Sequence, residues 1–404
     1  MSQWASLRIG DIGELFDGPH ATPKSKGKVS TDYIFLSISS LENGRLNLKE
    51  SPSISEEDYL RWTRRVTPRA QDLVFSYETR LGEGALIPAG LTCCLGRRMA
   101  LLRPNPKVID PRFLLYLFLG PKFQRTITER TIHGSTVNRI SLNDFPDFPI
   151  LLPDITEQRR IAGVLGALDD KIESNQTVVT RAEQLIDEIA EQKATALPTV
   201  ALSEVCSLSK SIWKPDTSSD QTVHLFSLPA FDEGAVPEQA AVSTIKSNKT
   251  LVDRPGILVS RLNPRISRMW WVETDATPVS VCSPEFAYLT AGDMHGLACT
   301  WLAVRSPEFR GEIVDRVTGT SGSHQRVRPV DLMTIGVPDY RSLAEHTQMT
   351  VLTLLHLVSA RRQQSVALAE LRDVLLPELM SGRMRVDEAG CLVSEALDEE
   401  VRSV

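Results

Sequence analysis

The feature that most constrains this chain is that it repeats itself. Ile9-Gly10-Asp11-Ile12 matches Leu202-Ser203-Glu204-Val205, Phe35 to Gly44 matches Leu225 to Gly234, and Asp72 to Ser76 matches Gly256 to Ser260. Pro121 and Phe123 then pair with Pro307 and Phe309, and Val137 to Phe145 with His324 to Leu332. Five matches in one order, at nearly constant offset, make the chain two copies of one unit, and a fold for one copy must serve for the other. Each copy opens with a β-rich stretch punctuated by Gly, Pro, Asn and Asp, which predicts short strands and loops around a small core. Each copy ends in a helix.

The first helix has Asp154 as its N-cap with Glu157 three residues on, and no proline follows until Pro198. Its apolar residues keep a seven-residue repeat: Leu165, Ile172, Val179 and Ile186 at one seam position, Ile161, Leu168, Asn175, Ala182 and Ile189 at the other. That is a coiled-coil heptad, and a polar Asn175 within it would fix register. The second helix carries Leu354, Leu357, Gln364, Leu368, Leu371 and Leu375 at the same spacing, interrupted by Arg361, and stops at Pro377 and Gly382. Two seams of similar length predict an antiparallel pair. The fold class expected is therefore α+β, an internal duplication of two α+β domains separated by two long antiparallel coiled-coil helices. The expected boundaries are a first domain 1–153, a central helix 154–196, a second domain 197–340, a C-terminal helix 341–384 and an acidic tail 385–404.

At 404 residues with 42% hydrophobic and 24% charged residues, the chain is long enough for more than one core and belongs to the globular range. Its longest apolar run, Phe113 to Leu119, is far below the roughly 20 residues of a bilayer span, and the N-terminus lacks a signal-peptide apolar region. A cytoplasmic protein without membrane contact is expected. Six cysteines, none in a CxxC pair, read as reduced packing residues. The net charge of −6 excludes a protein that coats nucleic acid indiscriminately. The charge is partitioned, however: residues 1–153 hold 20 Lys and Arg against 16 Asp and Glu.

Enzymatic signatures fail one by one. Pro153-Asp154 followed by Asp169-Asp170-Lys171 mimics the spacing of Mg-dependent PD-(D/E)xK nucleases, yet those acids belong on adjacent strands and here lie along a helix, about 22 Å apart at 1.5 Å per residue. No GxxxxGK[ST] phosphate loop occurs. Gly82-Glu83-Gly84 is too short for a dinucleotide loop. No Pro-Pro-aromatic motif of an amino-methyltransferase follows Asn105 or Asn263, and the seven histidines lack metal-ligand spacing. No catalytic residue, metal or cofactor is assigned to this chain.

What remains suits DNA reading, in which Arg, Asn and Gln contact base edges and Lys and Thr contact phosphates. Two loops recur at equivalent places. One holds His133 to Arg139, with Thr136, Asn138 and Arg139; the other holds Thr320 to Arg326, with His324, Gln325 and Arg326. Around them the candidates are Lys24, Lys26, Arg61, Arg64, Arg65, Arg80, Arg97 and Arg98 in the first copy. In the second they are Arg261, Asn263, Arg265 and Arg268, beside Trp270 and Trp271. A coiled-coil scaffold without DNA contact is the other non-enzymatic reading.

With these residues in place, the sequence resembles the specificity subunits of type I restriction-modification systems. The resemblance runs along nearly the whole chain and is most specific at Pro153 to Glu173 and at Leu375 to Val386. The second copy departs from the first in having Glu345-His346 where Glu157-Gln158 stands. The resemblance implies two target-recognition domains, each reading one half of a split sequence in double-stranded DNA. It implies docking of two methyltransferase subunits, and optionally two restriction subunits. S-adenosylmethionine, Mg²⁺ and ATP would belong to those partners.

Overall fold

The computed structural model describes residues 4–19, 21–23, 32–134, 137–218, 220–274, 277–317 and 325–398. The chain divides into two compact units, one of Met1–Asp170 with Leu368–Val404 and one of Lys171–Ala367. Each long helix thus contributes one stretch to each unit.

In the first unit the central sheet is antiparallel and made of β1 (Gly13–Asp17), β2 (Leu73–Ser76), β3 (Gly84–Leu86) and β4 (Met99–Pro104), in the order β1-β4-β2-β3. Val74 and Phe16 both pair with Leu101, so β4 lies at the centre, and all four residues of β2 are buried. A parallel pair, Tyr33–Leu36 with Thr92–Leu95, lies beside it in the chain. Two helices follow, α1 (Pro111–Leu119) and α2 (Pro121–Glu129). Here the expected run of strands and loops is corrected. Asp110 caps α1 by accepting from the amides of Arg112 and Phe113, Pro111 supplies a prefixed φ at the first helical position, and Gly120 ends the helix. The apolar run Phe113 to Leu119 is a buried helix, which periodicity alone cannot tell from a buried strand. Phe118 and Phe123 from these helices pack with Phe75, Phe145 and Phe148, with neighbouring ring centroids 4.8 to 5.5 Å apart.

Helix α3 (Ile155–Ala194), of 40 residues, has its first stretch in the first unit and its remainder in the second. The second unit repeats the plan. Strands β5 (Ser207–Leu208), β6 (Gly256–Ser260), β7 (Met269–Val272) and β8 (Phe286–Thr290) form an antiparallel sheet in the order β5-β8-β6-β7, the same as in the first unit. The parallel pair recurs as Thr222–Phe226 with Ser280–Cys282, enlarged to five strands. Helices α4 (Met294–Arg305) and α5 (Pro307–Asp315) correspond to α1 and α2. In both units a short strand from the unit's start pairs antiparallel with the strand that leads into a long helix: Ala5–Arg8 with Pro149–Leu152, and Thr199–Ala201 with Gly336–Pro338.

The second long helix, α6 (Glu345–Met380), packs on α3 within each unit. In the first unit Ile161, Leu165 and Leu168 of α3 are buried, as are Leu368, Leu375 and Leu379 of α6, while Leu371 is half-buried. In the second unit Val179, Ala182 and Ile186 are buried with Val351, Leu355 and Val358, and Ile172 and Ile189 are half-buried. Contacts there descend along α6 as they ascend α3, from Asn175 with Gln364 to Val179 and Ala182 with Val358, so the pair is antiparallel. Leu354 packs against Val179, Ala182 and Val358 although half-buried, whereas Leu357, also half-buried, departs from the expected seam. Counting a strict three-four alternation back from Leu375 overruns a place where two steps of three follow each other, Arg362 to Ser365 to Leu368, and the buried stripe moves over.

Asn175 is 1% exposed and donates to Gln364 Oε1 at 2.8 Å and to Ser365 Oγ at 3.3 Å. Asn175→Ala leaves Gln364 without this donor in a buried setting, and urea unfolding is expected to show a loss of about 1 to 3 kcal/mol. The departure noted at Glu345-His346 also resolves. Gln158, four residues into α3, donates to the carbonyl of Pro153 at 3.0 Å, and Gln348, four residues into α6, donates likewise to that of Leu343 at 2.9 Å. The structural counterpart of Gln158 is Gln348, and His346 is exposed.

The expected acidic tail is partly a helix, α7 (Val386–Asp398), with Val386, Ala389 and Val393 buried. Its Asp387 pairs with Arg160 of α3.

Candidate nucleic-acid interface

The duplicated loops meet the duplicated sheets at one equivalent place. In the first unit the turn after β2 pairs with the 138–140 segment: the Thr79 amide donates to the Asn138 carbonyl at 3.3 Å and the Ile140 amide to the Tyr77 carbonyl at 2.8 Å. In the second unit the turn after β6 pairs with the 325–327 segment in the same pattern. The Asn263 amide donates to the Gln325 carbonyl at 2.9 Å and the Val327 amide to the Arg261 carbonyl at 3.0 Å. Bridges Glu78 to Arg139 and Leu262 to Arg326 seal each pair. Thr79 and Asn263 both take positive φ, 70° and 48°, so the two turns share a left-handed residue at the same step. A third bond completes the match: the strand that becomes β4 or β8 accepts from the turn through Arg98 (Tyr77 amide, 3.2 Å) and Glu285 (Arg261 amide, 2.8 Å).

On this frame the side chains differ. In the first unit Arg139 and Asn138 are exposed, with Asn138 Oδ1 3.3 Å from His133 Nδ1. Arg98, itself at φ 72°, pairs with Glu78 at 2.9 Å and donates to Thr79 Oγ1 at 3.1 Å. Arg80 pairs with Glu83 at 3.2 Å and donates to the Ile38 carbonyl, and Arg65 lies 3.7 Å from Asp17. Arg61 lies over the Trp62 ring, 5.1 Å from its centroid; Arg64 and Arg97 are exposed. Tyr77, beneath the turn, has its hydroxyl pushed up to about 12 by burial and by Asp17.

In the second unit most of the expected cations hold the unit together. Arg261 donates to the carbonyls of Val327 at 3.0 Å and Pro284 at 2.9 Å, and burial lowers its pKa from the usual arginine value. Arg268 forms a two-pronged pair with Asp232 at 2.7 and 2.9 Å. Arg326 pairs with Glu285 through Nε and Nη2, both at 3.0 Å, and this pairing raises its pKa. Arg265 is exposed, Asn263 and Gln325 are half-exposed, and Trp270 and Trp271 lie in the core rather than on the surface. Lys24, Lys26, Thr136 and His324 lie outside the described residues.

Sequence reasoning missed the acids of this site, Glu78 and Glu285, because it searched for positive charge alone. It also missed a cationic sheet edge in the second unit. Exposed Lys210 and Lys214 flank the edge strand Ile212–Trp213 in the chain, and exposed Lys246 precedes by three residues Lys249, which pairs with Trp213; Ile212 is exposed. The nuclease-like acids are held otherwise: Asp154 caps α3 by accepting from Thr156 and Glu157, and Asp169 binds Tyr116 and Arg372. Among the described residues no three His, Cys, Asp or Glu side chains converge on a common point, and no helix is long and apolar enough to cross a membrane.

Residues 1–184 match the family described as type I restriction modification DNA specificity domain. Over 179 residues the chain is 26% identical to a protein of Methanocaldococcus jannaschii named as the MjaX specificity subunit of a type I restriction enzyme. That alignment covers 42% of this chain and 40% of that protein, so the chain matches less than half the relative's length. The S subunit of the type I restriction-modification system of M. genitalium has the same fold, with a TM-score of 0.57 and 14% identity over 93% of this chain and 96% of that one. The HsdS subunit of Thermoanaerobacter tengcongensis aligns with 18% identity over 98% of this chain and 96% of that one, at a TM-score of 0.31.

Proposed function

We propose that this chain, whose first 184 residues belong to the type I restriction-modification DNA specificity family, is the non-catalytic subunit that chooses the DNA sequence for such a complex. Each unit reads one half of a bipartite target in double-stranded DNA, and the chain docks two methyltransferase subunits and, where present, two restriction subunits. S-adenosylmethionine, Mg²⁺ and ATP are supplied through those partners, in the cytoplasm. The observation that carries this reading is the repeated paired turn, which brings amide and guanidinium groups to one place on two equivalent sheets. Gly-containing loops with Asn or Gln next to Arg are chemically suited to base edges. The acidic overall balance is compatible with this role when part of the phosphate contact is made by partners.

Two measurements test it. The purified chain, incubated with labelled S-adenosylmethionine and DNA, is expected to incorporate no methyl group until a methyltransferase subunit is added. Incorporation by the chain alone would overturn the non-catalytic assignment. Methylated positions mapped in cells holding the complex should form one split motif, and Arg139→Ala should broaden a single half of it. Because Arg139 is exposed on the segment paired with the first turn, discrimination at one base is expected to fall by roughly 5- to 150-fold, equivalent to about 1 to 3 kcal/mol. An unchanged motif would return Arg139 to the role of a turn residue. A complex that methylates without sequence preference would favour the scaffold reading.

A further inference from the structure

The two turns share their backbone but have exchanged their carboxylate. In the first unit the acid is Glu78, on the turn itself, and it pairs with Arg98 at 2.9 Å. In the second unit Leu262 occupies the place of Glu78, and the acid is Glu285, at the place of Arg98. Glu285 therefore reaches the other arginine: both its oxygens accept from Arg326, the counterpart of Arg139. The exchange keeps two cations and one acid at each turn and changes which cation the acid holds.

An exposed ion pair adds little stability, about 0 to 1 kcal/mol, and here the side chains of Arg326 and Glu285 are 41% and 31% exposed. Near DNA a carboxylate also repels phosphates. A glutamate kept beside a turn proposed to face DNA calls for a task that outweighs both considerations. The geometry fits one. Glu285 engages the Nε–Nη2 edge of the guanidinium in a two-pronged pair, which restricts the direction in which the guanidinium plane points. Fixing a flexible arginine before contact removes the entropy that it would otherwise lose on binding. Arg261, on the same turn, is already tied to two carbonyls and cannot swing in to replace it.

We infer that Glu285 is a positioning residue for base selection, orienting Arg326 so that the second unit reads its half-site through a pre-aligned guanidinium while the first unit reads through Arg139, which no carboxylate among the described residues braces in this way. This inference rests on the DNA-reading function proposed above.

The test is to co-express Glu285→Gln and Arg326→Lys chains with the methyltransferase subunit and to map the methylation motif of each. Glutamine keeps the size and loses the charged two-oxygen acceptor; lysine keeps the charge and loses the planar fork. Both variants are expected to broaden the same single base position, in the half-site that Arg139→Ala leaves unchanged, with discrimination there falling roughly 5- to 150-fold. A uniform gain in affinity for all sequences with the motif unchanged would make Glu285 a mere phosphate-repelling charge and overturn the inference, as would broadening in the other half-site. If Glu285→Gln abolishes methylation, Glu285→Asp, which retains a carboxylate, is mapped instead: partial broadening at the base affected by Arg326→Lys supports the inference and an unchanged motif rejects it. A wild-type complex with no sequence preference would instead refute the DNA-reading function itself.

Discussion

Asp169→Ala is expected to destabilise the first unit by about 3 kcal/mol, a fall of roughly 6 to 12 °C in its thermal transition. Asp169 sits on α3 with its side chain 18% exposed, and three groups converge on it. The Tyr116 hydroxyl of α1 donates to Oδ2 at 2.5 Å, Arg372 of α6 donates to Oδ1 at 2.8 Å, and Arg45 lies 3.6 Å away while donating to the Asp169 backbone carbonyl. Burial and the adjacent carboxylate hold the Tyr116 hydroxyl well above the usual tyrosine range, so it stays a donor at any physiological pH. Removing the carboxylate leaves this buried hydroxyl without its acceptor and the half-buried Arg372 guanidinium with only the exposed Asp373 as partner. Desolvation of the hydroxyl then opposes folding with no hydrogen bond to offset it. Asp169→Asn keeps an acceptor for Tyr116 and loses only the charge, so it should cost about half as much. Calorimetry on the two variants decides the matter; a loss below about 1 kcal/mol for Asp169→Ala would show that water reaches all three partners.

That hub explains why some elements could be read from the residues and others not. The duplication was legible because aligned segments such as Phe35 to Gly44 and Leu225 to Gly234 both hold the end of a strand of the parallel pair followed by a helical turn. The heptad of α3 was legible because its seam residues are buried in each unit, Ile161, Leu165 and Leu168 in the first and Val179, Ala182 and Ile186 in the second. In α6 the stripe shifts near Ser365, where half-buried Arg362 and Ser365 take seam places that an apolar count skips. Helices α1 and α4 were hidden inside apolar runs, since a segment buried on all sides carries no period. At the site, backbone equivalence was visible in the repeated loops. The pairing was not, because Glu78 and Glu285 stand at different points of the repeat and only the folded turn brings each to an arginine. A cluster of arginines in sequence does not reveal which of them already holds an acid or a carbonyl.

Trp270→Ala offers the sharpest test of that distinction in the second unit. Trp270 and Trp271 follow Arg261, Asn263, Arg265 and Arg268 in the chain, and an indole among such residues would suit stacking on bases, which contributes roughly 1 to 3 kcal/mol per base to binding. The fold places them otherwise. Strand β7 buries all four of its residues, and Trp270 is 2% exposed, with Phe226, Phe231 and Phe286 edge-on at 4.8 to 6.4 Å. Trp271, 5% exposed, is turned to the opposite face, at 90° to Trp301, and donates its Nε1 hydrogen to Glu273 at 2.8 Å. Truncating Trp270 therefore opens a large cavity between the sheet and its aromatic neighbours. A loss of about 3 to 5 kcal/mol is expected, most of it recovered in Trp270→Phe because three edge-on partners remain for a smaller ring. Because the cavity lies wholly in the second unit, the first unit's transition should move little. Chemical unfolding followed by tryptophan fluorescence, with DNA titration under conditions where the variant is folded, separates the two readings: a stable variant with weakened binding would place the indole on DNA, whereas an unstable variant that binds normally once folded places it in the core.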